Sequence, residues 1–237
     1  MTAPAILCVY AHPDDESFGP GGAIAGYALG GTPVDVLCAT RGEAGQLGDP
    51  PVTTREQLGA VREAALREAM RTLGFRDLYL LDHRDGQLAD VPYETLRDEV
   101  LDVMRRVRPT TVVTFGPYGI YGHPDHIRIS DVTVDAFARL RDTIPEPRRL
   151  YFHAVPRQMA EAMGREIPGP DGNPNTEISV SPEGLAAQIA ALAFHAETQE
   201  DARVMRERLI EQRPTVAYLY RAEPPVPDGE IDRSLLP

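Results

Sequence analysis

Short, unbroken apolar runs alternate with longer stretches of helical periodicity along most of the chain. Ala5 to Tyr10 (AILCVY), Val34 to Ala39 (VDVLCA), Leu78 to Leu81, Thr111 to Phe115 (TVVTF) and Leu150 to Ala154 read as five strands. Gly21 to Gly30 reads as a small-residue helix. From Thr54 to Leu73, Leu58, Val61, Ala65, Leu66, Ala69 and Leu73 fall at helical spacing, with Gly74 as the stop. Tyr93 to Val107 is amphipathic and closed by Pro109, and a further helix follows the fourth strand through Leu140. Strands apolar throughout, separated by helices, predict βαβ units and a sheet covered on both faces. The fold class expected is α/β, a Rossmann-like, doubly wound, mostly parallel sheet. The alternation ends near Val155. A stretch rich in Pro, Gly and Asn (Ile167 to Asn175) is followed by a helix from Pro182 to about Thr198, a charged helix, an apolar run from Val216 to Tyr220 and a Pro-rich tail. Residues 1–155 are therefore expected to form the core, and 156–237 an irregular C-terminal cap that completes the same domain.

Composition narrows the function without naming it. The chain has 237 residues, enough for one domain with a sizeable core. Its net charge of −12 gives no overall attraction for nucleic acid or anionic lipid, so neither is an expected partner. No apolar run approaches the length of a membrane span, and Met1 to Pro4 shows no basic stretch leading into an apolar one. Cys8 and Cys38 each lie inside a strand-like run and read as buried free thiols, which makes the cytoplasm the expected location. A small-molecule substrate is the expected partner, and homo-oligomerisation stays open.

Two polar clusters follow strands. Ala11-His12-Pro13-Asp14-Asp15-Glu16 comes after the first, and Tyr121-Gly122-His123-Pro124-Asp125-His126 after the fourth. Alone, the first is the kind of acidic cluster that a helix N-terminus favours, and the second is as consistent with a turn as with a site. In the strand order 3-2-1-4-5, however, strands one and four are neighbours where ligands bind, and the two clusters become one site. Two His and one Asp with a fourth position for water are a common catalytic zinc arrangement. Adjacent Asp14 and Asp15 point differently, so one can ligate while the other faces the water. His123 and His126 share a helix face, and Asp125 between them can hold an imidazole in one tautomer. His83 and His153 read as structural, and His195 stays undecided. Rival chemistries lack their residues. Gly19-Pro20-Gly21-Gly22 has Ile24 where a dinucleotide loop needs its third Gly, and no P-loop, G-x-S-x-G, H-E-x-x-H or C-x-x-C occurs. A two-metal phosphoesterase needs a second ligand group, and a non-catalytic metal- or sugar-binding protein leaves Asp14 beside a complete ligand set unexplained.

His12-Pro13-Asp14-Asp15-Glu16, Thr40-Arg41-Gly42-Glu43-Ala44-Gly45 and Gly122-His123-Pro124-Asp125-His126 closely resemble the LmbE-like (PIG-L) family of zinc-dependent N-deacetylases. The resemblance covers about Ile6 to Leu140 and includes Leu73-Gly74 and Asp85-Gly86, while beyond Val155 only His195 to Gln199 is similar. It implies His12, Asp15 and His126 as ligands of one Zn2+ per chain, with another divalent metal as the alternative. It implies Asp14 as general base, His123 as acid or electrostatic partner steadied by Asp125, and Tyr121 as a group that helps hold the oxyanion. Arg62 and Asp85 match positions that contact the sugar. Ala65 departs from the Glu many members carry there. The function implied is removal of the N-acetyl group from a small N-acetylglucosamine (GlcNAc) conjugate, such as a thiol precursor, with an amidase acting on a thiol conjugate as the alternative.

Overall fold

The structure, a computed structural model, describes residues 4–144, 148–162 and 164–237; the expectation drawn from Met1 to Ala3 lies outside them. The chain runs β1 (Ile6–Tyr10), α1 (Gly21–Leu29), β2 (Val34–Thr40), α2 (Arg55–Leu73), β3 (Leu78–His83), α3 (Tyr93–Val107), β4 (Thr111–Thr114), a distorted α4 (Gly119–Gly122), α5 (Pro124–Thr143), β5 (Arg149–His153), α6 (Arg157–Ala162), β6 (Thr176–Ser179), α7 (Pro182–His195), α8 (Glu200–Gln212) and β7 (Val216–Glu223). Among the described residues seven strands form one sheet in the order β3-β2-β1-β4-β5-β7-β6. The first five are parallel, as the alternation predicts, and β1 pairs with both β2 and β4. No helix among the described residues is long and apolar enough to cross a membrane.

The inner strands are buried along their whole length because helices cover both faces. One charge lies within them. Asp35 on β2 is fully buried, and Arg76 pairs with it at 2.9 and 2.5 Å, which spares the core an uncompensated carboxylate. Helix α2 turns Leu58, Leu66, Ala69 and Leu73 inward and stops at Gly74, whose φ of +77° closes it in the left-handed region.

The C-terminal part is more regular than the sequence predicts. It adds β7 and β6 to the same sheet, with β7 antiparallel to both β5 and β6. Helix α7 packs across α1 and α2 and starts at an N-cap, where Ser181 Oγ accepts the Gly184 N–H at 3.0 Å and Pro182 takes the first turn. This brings a helix from the end of the chain against the loop that follows β1.

Candidate active site

Because β1 and β4 pair in register, Cys8 opposite Val113, the segments that follow them emerge side by side. The second enters α5 with His123 as N-cap and Pro124 at the first position. His123 Nδ1 accepts the Asp125 N–H at 3.2 Å, and His126 then falls one turn inside the helix. Phe115 stacks on the His126 ring with centroids 3.8 Å apart, which fixes that ring's plane.

Three expected ligands meet. His12 Nδ1 lies 3.2 Å from His126 Nε2, and the two oxygens of Asp15 lie 3.7 Å from the first and 3.6 Å from the second. All three residues are buried. Their tautomers decide what fits between them. His126 Nδ1 faces the Gly119 carbonyl at 3.3 Å, which can only accept, so that nitrogen carries the proton and Nε2 presents a lone pair. His12 Nε2 faces Asp85 Oδ1 at 3.1 Å and Asp125 Oδ2 at 3.4 Å, so it too carries a proton and Nδ1 presents a lone pair. Two lone pairs and a carboxylate thus converge in a buried place, and only a cation satisfies all three. The residues fit a metal ion of zinc's preferences. A proton can take the same place. Burial works against charging His12, yet hydrogen bonds to Asp125 and Asp85 push its pKa up to about 10. His123 also approaches, its ring centroid 4.8 Å from that of His12 and 4.7 Å from that of His126, so a three-histidine set is within reach as well.

Asp125 meets His123 through its backbone and not through the carboxylate. Its carboxylate accepts the Gly86 N–H at 2.7 Å and the Leu88 N–H at 3.0 Å and turns toward His12; only its backbone N–H meets His123. Asp85 is likewise turned inward, accepting the Ala44 N–H at 3.0 Å while facing His12. Arg62 is buried beneath the site rather than open to a sugar. It donates to Pro13 O at 2.5 Å, Asp14 Oδ2 at 2.8 Å and Gly42 O at 2.9 Å. Gly42 makes this possible, because its φ is +66° and a side chain there would overlap the guanidinium.

Asp14 has a separate setting from Asp15. Its φ of +125° is a conformation that non-glycine residues rarely adopt. Burial raises its carboxyl pKa, against the pull of the Arg62 charge. Burial also disfavours the imidazolium of His123, and the nearby His12 adds to this. Tyr121 is half exposed at the mouth, its ring edge-on to His123 and His126 at 5.9 and 5.3 Å, with the Arg165 guanidinium over it. A groove bordered by Tyr118, Tyr121 and Arg165 opens beside it.

Sequence reasoning missed Asp171, which is fully buried and accepts the Ile120 N–H at 3.0 Å and the Tyr118 N–H at 3.4 Å, so holding the loop of Tyr121. No local motif marks it. Glu16, which the sequence offers at most as a further metal ligand, and His195, whose role the sequence does not show, are joined in the structure at 2.8 Å.

Fold and site together define a Rossmann-like protein with a buried His/Asp cluster able to hold a metal at the carboxyl ends of β1 and β4. Residues 7–137 match the family described as GlcNAc-PI de-N-acetylase (PIG-L), and the chain belongs to it. It is 36% identical over 192 residues, 81% of this chain and 80% of the relative, to a Bacillus anthracis protein named "Probable N-acetyl-alpha-D-glucosaminyl L-malate deacetylase 2". It is also 36% identical over 242 residues, 82% of this chain and 78% of the relative, to the 1D-myo-inositol 2-acetamido-2-deoxy-alpha-D-glucopyranoside deacetylase 1 of Saccharopolyspora erythraea. Among solved structures, the N,N'-diacetylchitobiose deacetylase of Pyrococcus horikoshii shares the fold, with a TM-score of 0.70 at 21% identity over 92% of this chain and 84% of that one.

Proposed function

We propose that this protein is a metal-dependent hydrolase that removes the N-acetyl group from a small GlcNAc conjugate. One observation carries the reading: an imidazole nitrogen of His12, one of His126 and the Asp15 carboxylate lie 3.2 to 3.7 Å from one another, beside a second, separately held carboxylate. The names of the two relatives supply the substrate class.

His12, Asp15 and His126 would hold the ion, and zinc suits two imidazoles, one carboxylate and an open position. When bound, it supplies Lewis acidity, lowering the pKa of a water from ~15.7 to about 7 and polarising the acetyl carbonyl. Asp14 takes the proton of the attacking water, with Arg62 fixing the direction of its carboxylate. His123 accepts at Nδ1 from a backbone N–H, so its own proton sits on Nε2, where it donates to the developing oxyanion. Tyr121 is the second donor. The proton held by Asp14 is the one the departing amine requires, so acetate and a free amine leave without an outside acid. Asp85 and Asp125 act through His12, holding its Nε2–H and hence its tautomer.

The test is incubation of the zinc-loaded protein with GlcNAc conjugates that differ in the attached group. The expected products are acetate and sugar amine in equal amounts. An intact acetyl group, or cleavage at an amide elsewhere in the conjugate, contradicts the reading. Elemental analysis of His126→Ala should find the metal lost; full occupancy would remove His126 from the ligand set.

A further inference from the structure

We infer that Glu16 and His195 form a positioning pair for Asp14, through which α7 sets the geometry of proton transfer; the inference rests on the reading of Asp14 as the base. The two side chains come from positions 179 apart in sequence, and each is 1% exposed. His195 Nε2 lies 2.8 Å from Glu16 Oε1, which also accepts from Ser17 Oγ at 2.5 Å. The other carboxylate oxygen, Oε2, accepts the backbone N–H of Asp14 at 3.0 Å. The Asp14 carbonyl is held in turn by the Ser17 N–H at 2.8 Å. Gln188, two turns before His195 on the same face of α7, donates its Nε2 to Ser17 O at 2.9 Å.

Neither Glu16 nor His195 is needed for the ligand set. A buried ionisable pair is a costly way to fill space, because apolar residues of equal volume do so without a desolvation penalty. The pair is not even fully satisfied, since His195 Nδ1 is buried without a partner. What the pair does hold is the amide of the residue at φ +125°, a conformation that persists only when its surroundings over-determine it. Four handles fix Asp14: Glu16 on its N–H, Ser17 on its carbonyl, and Arg62 on its carboxylate and on the preceding carbonyl. Of these, the Glu16 handle depends on the far end of the chain. Losing it frees the backbone to relax toward negative φ and swings the carboxylate away from the water.

His195→Leu removes the donor to Glu16, whereas His195→Gln returns an N–H at nearly the reach of the imidazole Nε2. The measurements are metal content, kcat and KM on a GlcNAc conjugate, and hydrogen exchange of the Asp14 amide by NMR, all on zinc-loaded protein. Expected for His195→Leu are full metal content, kcat lower by about 10²-fold as for a group slightly misplaced, and KM within about twofold. Exchange at Asp14 should be faster by at least about tenfold, and His195→Gln should restore both kcat and protection. Unchanged kcat and exchange, a loss of kcat that tracks lost metal, or no rescue by Gln each overturn the inference. Should His195→Leu not fold, His195→Asn, too short to reach Glu16, must give the same pattern. If the wild-type protein releases no amine at all, the deacetylase reading fails, and the exchange data alone then decide whether the pair positions Asp14.

Discussion

His12 is gripped on both sides of its ring, and that grip explains why three carboxylates surround one imidazole. Asp85 and Asp125 take its Nε2–H, and Asp15 stands by Nδ1. Two of these carboxylates reach it from far away in sequence, Asp85 from the loop after β3 and Asp125 from the first turn of α5, so the motifs name the residues but not who holds whom. That His12, Asp15 and His126 meet was legible only from the two motifs taken together and from their resemblance to one family, since each motif alone also fits a helix start or a turn. The inward turn of Arg62 and Asp85 was not, since it depends on backbone carbonyls and N–H groups that only the folded loops present. For Arg62 the geometry makes a definite prediction. Arg62→Gln keeps part of the volume but loses the ion pair to Asp14 and leaves the Pro13 and Gly42 carbonyls under-satisfied. It should lower kcat more than it raises KM, by roughly 10–10²-fold in kcat, because the base loses its orientation. A variant with normal kcat and raised KM would return Arg62 to the sugar.

At the scale of elements, the site is one helix start, α5, set against three loops. Its N-cap is itself a site residue, so capping and chemistry share His123. The loop before it is held from outside by Asp171, and Gly119 at φ +66° passes so close to His126 that a Cβ there would lie 2.9 Å from the histidine's own. Asp171→Ala removes acceptors from two backbone N–H groups. It should cost roughly 1–3 kcal/mol, read as a lower urea midpoint at unchanged slope; an unchanged midpoint would show that the loop holds itself. Strands β1, β2, β4 and β5 were legible because a buried parallel strand has a short, unbroken apolar signature, and the edge strand β3, only partly buried, through its run from Leu78 to Leu81. Strand β6, Thr176–Ser179, was not. It is four residues long with two of them partly or fully exposed, and the pairing with β7 supplies what its composition lacks.

Across the whole molecule, the sheet carries a second buried histidine that has no part in the metal centre. His153, at the end of β5, meets the Tyr10 hydroxyl at 3.0 Å, and burial pushes its pKa down to about 3. The unfolded chain binds a proton there at about pH 6.5, the folded one does not until about pH 3. The unfolded state therefore takes up more protons in that window. The contribution of His153 is complete above about pH 6.5 and is lost as the pH falls toward 3. His153→Gln still meets Tyr10 but does not titrate, so between pH 7 and 5 it should lose less stability than the wild type in urea titrations; equal losses would mean that His153 is protonated in the fold. The neighbouring carboxylates divide the chemistry, Asp15 expected to hold a metal and Asp14 a proton. Asp14→Asn keeps the shape of the side chain and can still accept a hydrogen bond, but cannot take up a proton near neutral pH. The decisive measurement is kcat of this variant at full zinc occupancy, verified by elemental analysis after dialysis. Zinc should be retained and kcat should fall by roughly 10²–10⁴-fold, the worth of a positioned general base. A variant that emerges metal-free, or one that keeps its zinc and turns over as fast as the wild type, would contradict this division.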